Sequence, residues 1–100
     1  MLVKISQEGI YLNIHKNLNT TIQYADIERV SFKEYPNDQY IIFLFLKNPS
    51  KYLNKAQIKR NYKAKEKIPE CGDIAIPSLF LIEKKETVID LIDSYIMCIN

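Results

Sequence analysis

The residues able to do chemistry are few and scattered. His15 is the single histidine of the chain. It falls on the polar side of an alternating stretch, with no Cys, Asp or Glu at ligand spacing, which predicts a solvated side chain and not a metal ligand or a base. Asp26 and Glu28 form a carboxylate pair, the arrangement used for general acid–base work. Here they sit in a tight turn with no partner to shift a pKa, which predicts a cap and a surface charge. No serine lies in a GxSxG elbow or an SxxK motif. The two glycines, Gly9 and Gly72, cannot build a phosphate-cradling loop and both read as turns. Cys71 and Cys98 form no CxxC pair and no Cys/His cluster, so neither zinc nor a redox couple is indicated. They read as free thiols in a reducing compartment. The expectation is a protein without enzymatic activity, cofactor or metal.

The one segment with interaction chemistry is basic. Lys47, Lys51, Lys55, Lys59, Arg60, Lys63, Lys65 and Lys67 stand against Glu66 alone, whereas the whole chain carries a net charge of only +2, so the remainder is acidic. A local positive patch attracts phosphate, anionic lipid or an acidic protein. The acidic remainder would repel a nucleic-acid backbone, and no RNP-type aromatic pair or GXXG loop is present, which argues against nucleic acid as partner. As a lipid surface, Lys51, Lys55, Lys59, Arg60 and Lys63 would make the contact, each lysine near the headgroups contributing ~1 kcal/mol. Tyr52 and Tyr62 would be amphipathic anchors at the interface. Against this, Lys51, Lys55, Lys59 and Lys63 each advance about 40° around a helix, so they sweep around it and do not form one face. The plainer reading is a solvated connection that keeps a small domain soluble.

The elements that must position these residues follow from hydropathy. A chain of 100 residues, 47% apolar and 26% charged, is one soluble globular domain with a modest core. Val3 and Ile5 make a short first strand, and Gln7-Glu8-Gly9 supplies a turn in which Gly9 takes a positive φ. Ile10, Leu12 and Ile14 alternate with polar residues, the period of a half-buried strand. After turn residues Lys16 to Asn19, alternation resumes over Thr20 to Tyr24. Asp26 caps a single helical turn before the chain re-extends at Val30 and Phe32. Tyr35-Pro36-Asn37-Asp38-Gln39 is a hairpin loop with the proline at its second position. Tyr40 to Leu46 is apolar on both faces and should be the most buried strand.

Asn48-Pro49 could open a helix, and residues 50–65 favour one, but its apolar stripe is poor. Tyr52, Leu53 and Ala56 share one side, while Ile58 and Tyr62 sit nearly opposite. The expectation is a break near Gln57, the alternative being that the far set packs on another chain or a membrane surface. Asp73 to Ile76 looks like one more strand, and Ser78 to Ile82 resists assignment. Lys85 to Ile99 is the clearest helix, with Val88, Leu91, Ile92, Tyr95, Ile96 and Ile99 on one stripe and Glu86 favouring its start. Tyr40–Leu46 and this helix carry more apolar surface than 100 residues easily hide: either Ile89 and Met97, which flank the stripe, make a homodimer contact, or the barrel is simply well filled. The chain therefore divides into a strand meander (1–47), a lysine-rich helical insertion (48–68), a strand (73–76) and a terminal helix (85–99). This is an α+β order, mainly β: a bent, partly closed antiparallel sheet whose open end is plugged by an amphipathic C-terminal helix, the pleckstrin-homology-like layout.

Four stretches carry a resemblance in the same order: Glu8-Gly9-Ile10, Ile22 to Val30, Leu46 to Leu53, and Val88 to Tyr95. They resemble the cytosolic pleckstrin-homology-like domain of a bacterial family of small membrane-anchored proteins whose function is not established. Gln23-Tyr24 stands where that family often has a proline–Trp pair, and Asn48-Pro49-Ser50-Lys51-Tyr52 is similar to its Asn-Pro-x-x-Tyr segment. That family usually carries two hydrophobic spans before the barrel, whereas this sequence starts at Met1 with the first strand, the pattern of either a stand-alone soluble relative or a chain from which the spans have been trimmed. No basic n-region with a following apolar stretch is seen either. Tyr40–Leu46 is far short of the ~20 residues that cross a bilayer. The resemblance implies a cytoplasmic interaction module working at the inner membrane face. Its alternative is a protein-binding adaptor using a sheet edge or helix flank, with no lipid contact.

Overall fold

The computed structural model describes residues 2–15, 18–81 and 83–99, with the backbone alone for His15 and residues 96–99. The expectations for the side chains of His15, Ile96, Met97, Cys98 and Ile99 thus fall outside what is described. Among the described residues, six strands and two α-helices form an α+β fold: β1 (Leu2–Ile5), β2 (Ile10–His15), β3 (Leu18–Ile22), β4 (Ile27–Glu34), β5 (Tyr40–Leu46), α1 (Lys55–Lys67), β6 (Ile74–Pro77) and α2 (Lys85–Ile99). The strands make two antiparallel three-stranded sheets, β1-β2-β3 and β4-β5-β6. The meander is therefore not one continuous sheet, and it is not closed. The division falls at a 3₁₀ turn, Tyr24–Asp26, where the chain leaves the first sheet and enters the second.

Alternation explains the first sheet. Val3, Ile5, Ile10, Leu12, Ile14, Leu18 and Ile22 point inward and are buried, while Lys4, Tyr11, Asn13, Asn19, Thr20 and Thr21 face outward or lie at the margin. Leu18 and Asn19, expected in a turn, belong to β3. At the β1–β2 turn, Gly9 has φ +151°, and a Cβ there would stand 2.3 Å from the Ile22 carbonyl oxygen. Only glycine meets both conditions. The β4–β5 hairpin turns through Asn37 and Asp38, with φ 68° and 60°. Pro36 precedes these two residues and does not take the second turn position. Short polar side chains tolerate that left-handed backbone best.

The second sheet is more deeply enclosed. β5 is its central strand, and Tyr40 and Ile42 to Leu46 are all buried. One face of β5, with Ile42, Leu44 and Leu46, joins the core shared with the first sheet and with Val88 and Ile92 of α2. The other face bears Phe43 and Phe45, also buried. Arg29 places its guanidinium 3.8 Å above the Phe45 ring, and Gly72 crosses so close that a Cβ would stand 3.0 Å from the Phe43 Cβ. The Arg29 cation and the glycine crossing cover this second apolar face. Tyr40–Leu46 is thus an interior strand.

The terminal helix begins and ends where its stripe predicts. Tyr95 stacks on Tyr24 at 4.9 Å, pinning α2 to the corner between the sheets. The Tyr24 hydroxyl donates to the Ser6 carbonyl at 2.6 Å, and burial followed by the neighbouring Tyr95 pushes its ionisation up. No helix among the described residues is long and apolar enough to cross a membrane.

Candidate anionic-surface site

The lysine-rich segment is built in two pieces. Pro49–Lys51 is a 3₁₀ turn, and α1 begins only after Asn54. The expected break is real but lies at residues 52–54; Gln57 sits inside the first helical turn. The reason is a capping box. The Asn54 Oδ1 accepts from the Gln57 N–H at 2.9 Å, and the Gln57 Oε1 accepts from the Asn54 N–H at 2.8 Å. Two otherwise unsatisfied helix-start donors are thereby paired, so the helix starts there and then runs unbroken through Lys67.

Asp73 fixes α1 against the second sheet. Its Oδ2 accepts from the Leu46 N–H at 2.8 Å, and its Oδ1 pairs with the Lys65 ammonium at 2.8 Å. Its main-chain carbonyl accepts from the Asn61 side-chain amide at 2.8 Å. The Lys65 ammonium also lies 6.0 Å from the Phe45 ring centre. One carboxylate therefore orders the end of β5, the start of β6 and the second half of the helix.

The structure separates the seven expected contact residues into three places. Lys51 and Tyr52 turn inward to the β3–β4 corner. The Lys51 ammonium pairs with Asp26 Oδ2 at 2.8 Å, the Tyr52 hydroxyl donates to the same oxygen, and the Gln23 N–H donates to the Tyr52 hydroxyl at 3.3 Å. The hydrogen bond from Lys51, then that from Tyr52, holds the Asp26 carboxyl below its ordinary range, and the same pair raises Lys51. Burial and then Asp26 raise the Tyr52 hydroxyl. Arg60 lies elsewhere, on the wall of a cleft between α1 and the two sheets.

Lys55, Lys59 and Lys63 remain together. They share the outward side of α1 with Ile58, Tyr62 and Glu66, positions three and four apart that form one stripe. Tyr62 is 71% exposed, while Ile58 packs partly against the core. Among the described residues these three lysines make no ion pair. The lysines do advance around the helix, yet over two turns the advance stays within one broad face. Of the residues that hold this face in place, Asn54 and Asn61 were not singled out in the sequence, and Gln57, Lys65 and Asp73 were read there only as a break, a member of the charge run and the start of a strand. Only Asn54-x-x-Gln57 had a readable signal there.

No group of three His, Cys, Asp or Glu side chains placed to hold a metal occurs among the described residues. Comparison of the chain with family models, curated proteins and solved structures finds no match.

Proposed function

We propose that this chain is a non-enzymatic interaction module of pleckstrin-homology-like layout that docks on an anionic membrane surface through the outward stripe of α1. Two three-stranded antiparallel sheets sharing a core with a terminal helix support the layout. The observation that carries the membrane reading is Tyr62, 71% exposed and set among Lys55, Lys59 and Lys63. An amphipathic ring among unpaired ammonium groups suits a headgroup layer, where the ring enters the boundary and the cations meet phosphate. Lys51, Tyr52 and Arg60 play no part in that contact.

The test is co-sedimentation with phosphatidylserine-containing and pure phosphatidylcholine vesicles at low and physiological salt. The Lys55→Gln, Lys59→Gln, Lys63→Gln variant should lose about 3 kcal/mol, roughly a hundredfold in affinity. Equal binding to neutral vesicles, or an unchanged variant, overturns the reading. A second reading has its own observation: Leu79 is 77% exposed beside Tyr35, 42% exposed, at the end of β6. That apolar pair favours a protein contact at the edge of the second sheet. It predicts concentration-dependent self-association in sedimentation velocity, abolished by Leu79→Ser.

A further inference from the structure

The inward side of α1 does not close completely on the body of the protein. A cleft of 340 Å³ separates it from both sheets, with Ile14, Leu18, Leu53 and Ile74 as its apolar walls. That volume is at the low end of the roughly 300–1,000 Å³ typical of ligand sites. Polar groups of α1 line the same space: Gln57, Arg60 and Asn61. They are one helical turn apart or adjacent, so they converge on one side of the cleft.

Gln57 is the informative member. It is 7% exposed, and its Oε1 is committed to the capping box. Its Nε2 donors meet no acceptor among the described residues. That nitrogen is not sealed from solvent, since Glu83 Oε2 is the one fully buried side-chain atom without a partner among the described residues, and the space Gln57 borders is the cleft. Arg60, one turn on, forms no ion pair among the described residues, so its planar fork is also free to bind. Asp73 also lines the cleft, but both its carboxylate oxygens are already bonded, to the Leu46 N–H and to Lys65. Its charge still disfavours a dianion beside it.

We infer that this cleft binds a small monoanionic carboxylate with a short aliphatic body. The carboxylate oxygens accept from the Arg60 guanidinium and the Gln57 amide, and the aliphatic part lies against Ile14, Leu18, Leu53 and Ile74. This site is distinct from the outward stripe, on the opposite side of the same helix.

Titration of the ¹⁵N-labelled full chain with hexanoate, read in amide-correlation spectra, tests the assignment. Saturable shifts are expected at the Gln57 side-chain amide and at the backbone of Gln57, Asn61 and Ile74. Hexylammonium and inorganic phosphate should leave those signals in place. Arg60→Gln should weaken hexanoate by about tenfold or more, the loss of a charged hydrogen bond. Ala64→Leu, which keeps helix propensity and fills the cleft, should abolish binding while the spectrum stays dispersed. Both variants should bind anionic vesicles as the unmodified chain does, which separates this site from the membrane reading. The assignment is overturned by an equal response to hexylammonium, by shifts confined to Lys55, Lys59 and Lys63, by an indifferent Arg60→Gln, or by no saturable shift at all.

Discussion

Replacing Asp73 by alanine probes how the helix and the second sheet are joined. The side chain is 8% exposed and holds two partners, the Leu46 N–H and the Lys65 ammonium, each at 2.8 Å. Losing the acceptor for the Leu46 N–H removes a hydrogen bond to a charged group, about 1.5–3 kcal/mol. The ion pair adds little, about 0–1 kcal/mol, because the Lys65 side chain is 36% exposed and water screens it. The loss is therefore about 1.5–4 kcal/mol, carried mostly by the backbone contact. In urea unfolding, with a slope of about 1.5 kcal/mol per M, the midpoint should fall by roughly 2 M. Lys65→Gln should cost less than about 1 kcal/mol, and amide exchange at Leu46 should quicken only in the Asp73 variant. Two results would refute the reasoning: a midpoint for Asp73→Ala within error of the unmodified chain, or an equal loss from Lys65→Gln.

Three further outcomes follow from particular contacts. Asp26 gains stability from a carboxyl held below its ordinary range by Lys51 and Tyr52. That contribution is complete above the unfolded value of about 4 and is lost as pH falls through the lower folded value. Asp26→Asn should flatten the acid limb of a stability–pH curve, and an unaltered limb would remove Asp26 as its cause. Gly9→Ala should cost more than Gly72→Ala in thermal melts, because Gly9 combines φ +151° with a 2.3 Å approach, whereas Gly72 meets the Leu44 carbonyl oxygen at 2.7 Å without such a φ. The reverse order would contradict that geometry. Ile92→Ala, at a side chain 1% exposed in the shared core, should destabilise by about 2–5 kcal/mol in urea unfolding. A loss under about 1 kcal/mol would mean that α2 is not docked.

Much of the fold was readable because period-two alternation and a period-3.6 stripe are written locally. Ile10-x-Leu12-x-Ile14 and Val88 to Tyr95 needed no tertiary information. The separation into two sheets was not readable, since it depends on which strands pair beyond the Tyr24–Asp26 corner. The start of α1 could have been read from Asn54 and Gln57, but Asn48-Pro49 offered a competing start and drew attention away. Asp73 gave no local sign of its role, because its partners lie in two other elements, Leu46 in β5 and Asn61 and Lys65 in α1. The lysines were visible as a charge run. Their sorting into Lys51 on Asp26, Arg60 in the cleft and Lys55, Lys59 and Lys63 outward depended on the docking of the helix.

The connection from β5 to β6 has a consequence for how the chain reaches this structure. Every other strand pairing joins neighbours in sequence across a short turn, whereas β6 meets β5 only after the 3₁₀ turn and the whole of α1 have intervened. Closing that longer loop costs more chain entropy before any contact compensates. β6 is thus expected to join late, after the hairpins have formed. Substitutions at Ile74 or Ile76 should accordingly hasten unfolding while leaving the refolding rate nearly unchanged. The last strand in would also be the first out, and with it would go the anchorage of α1 and both faces that helix presents.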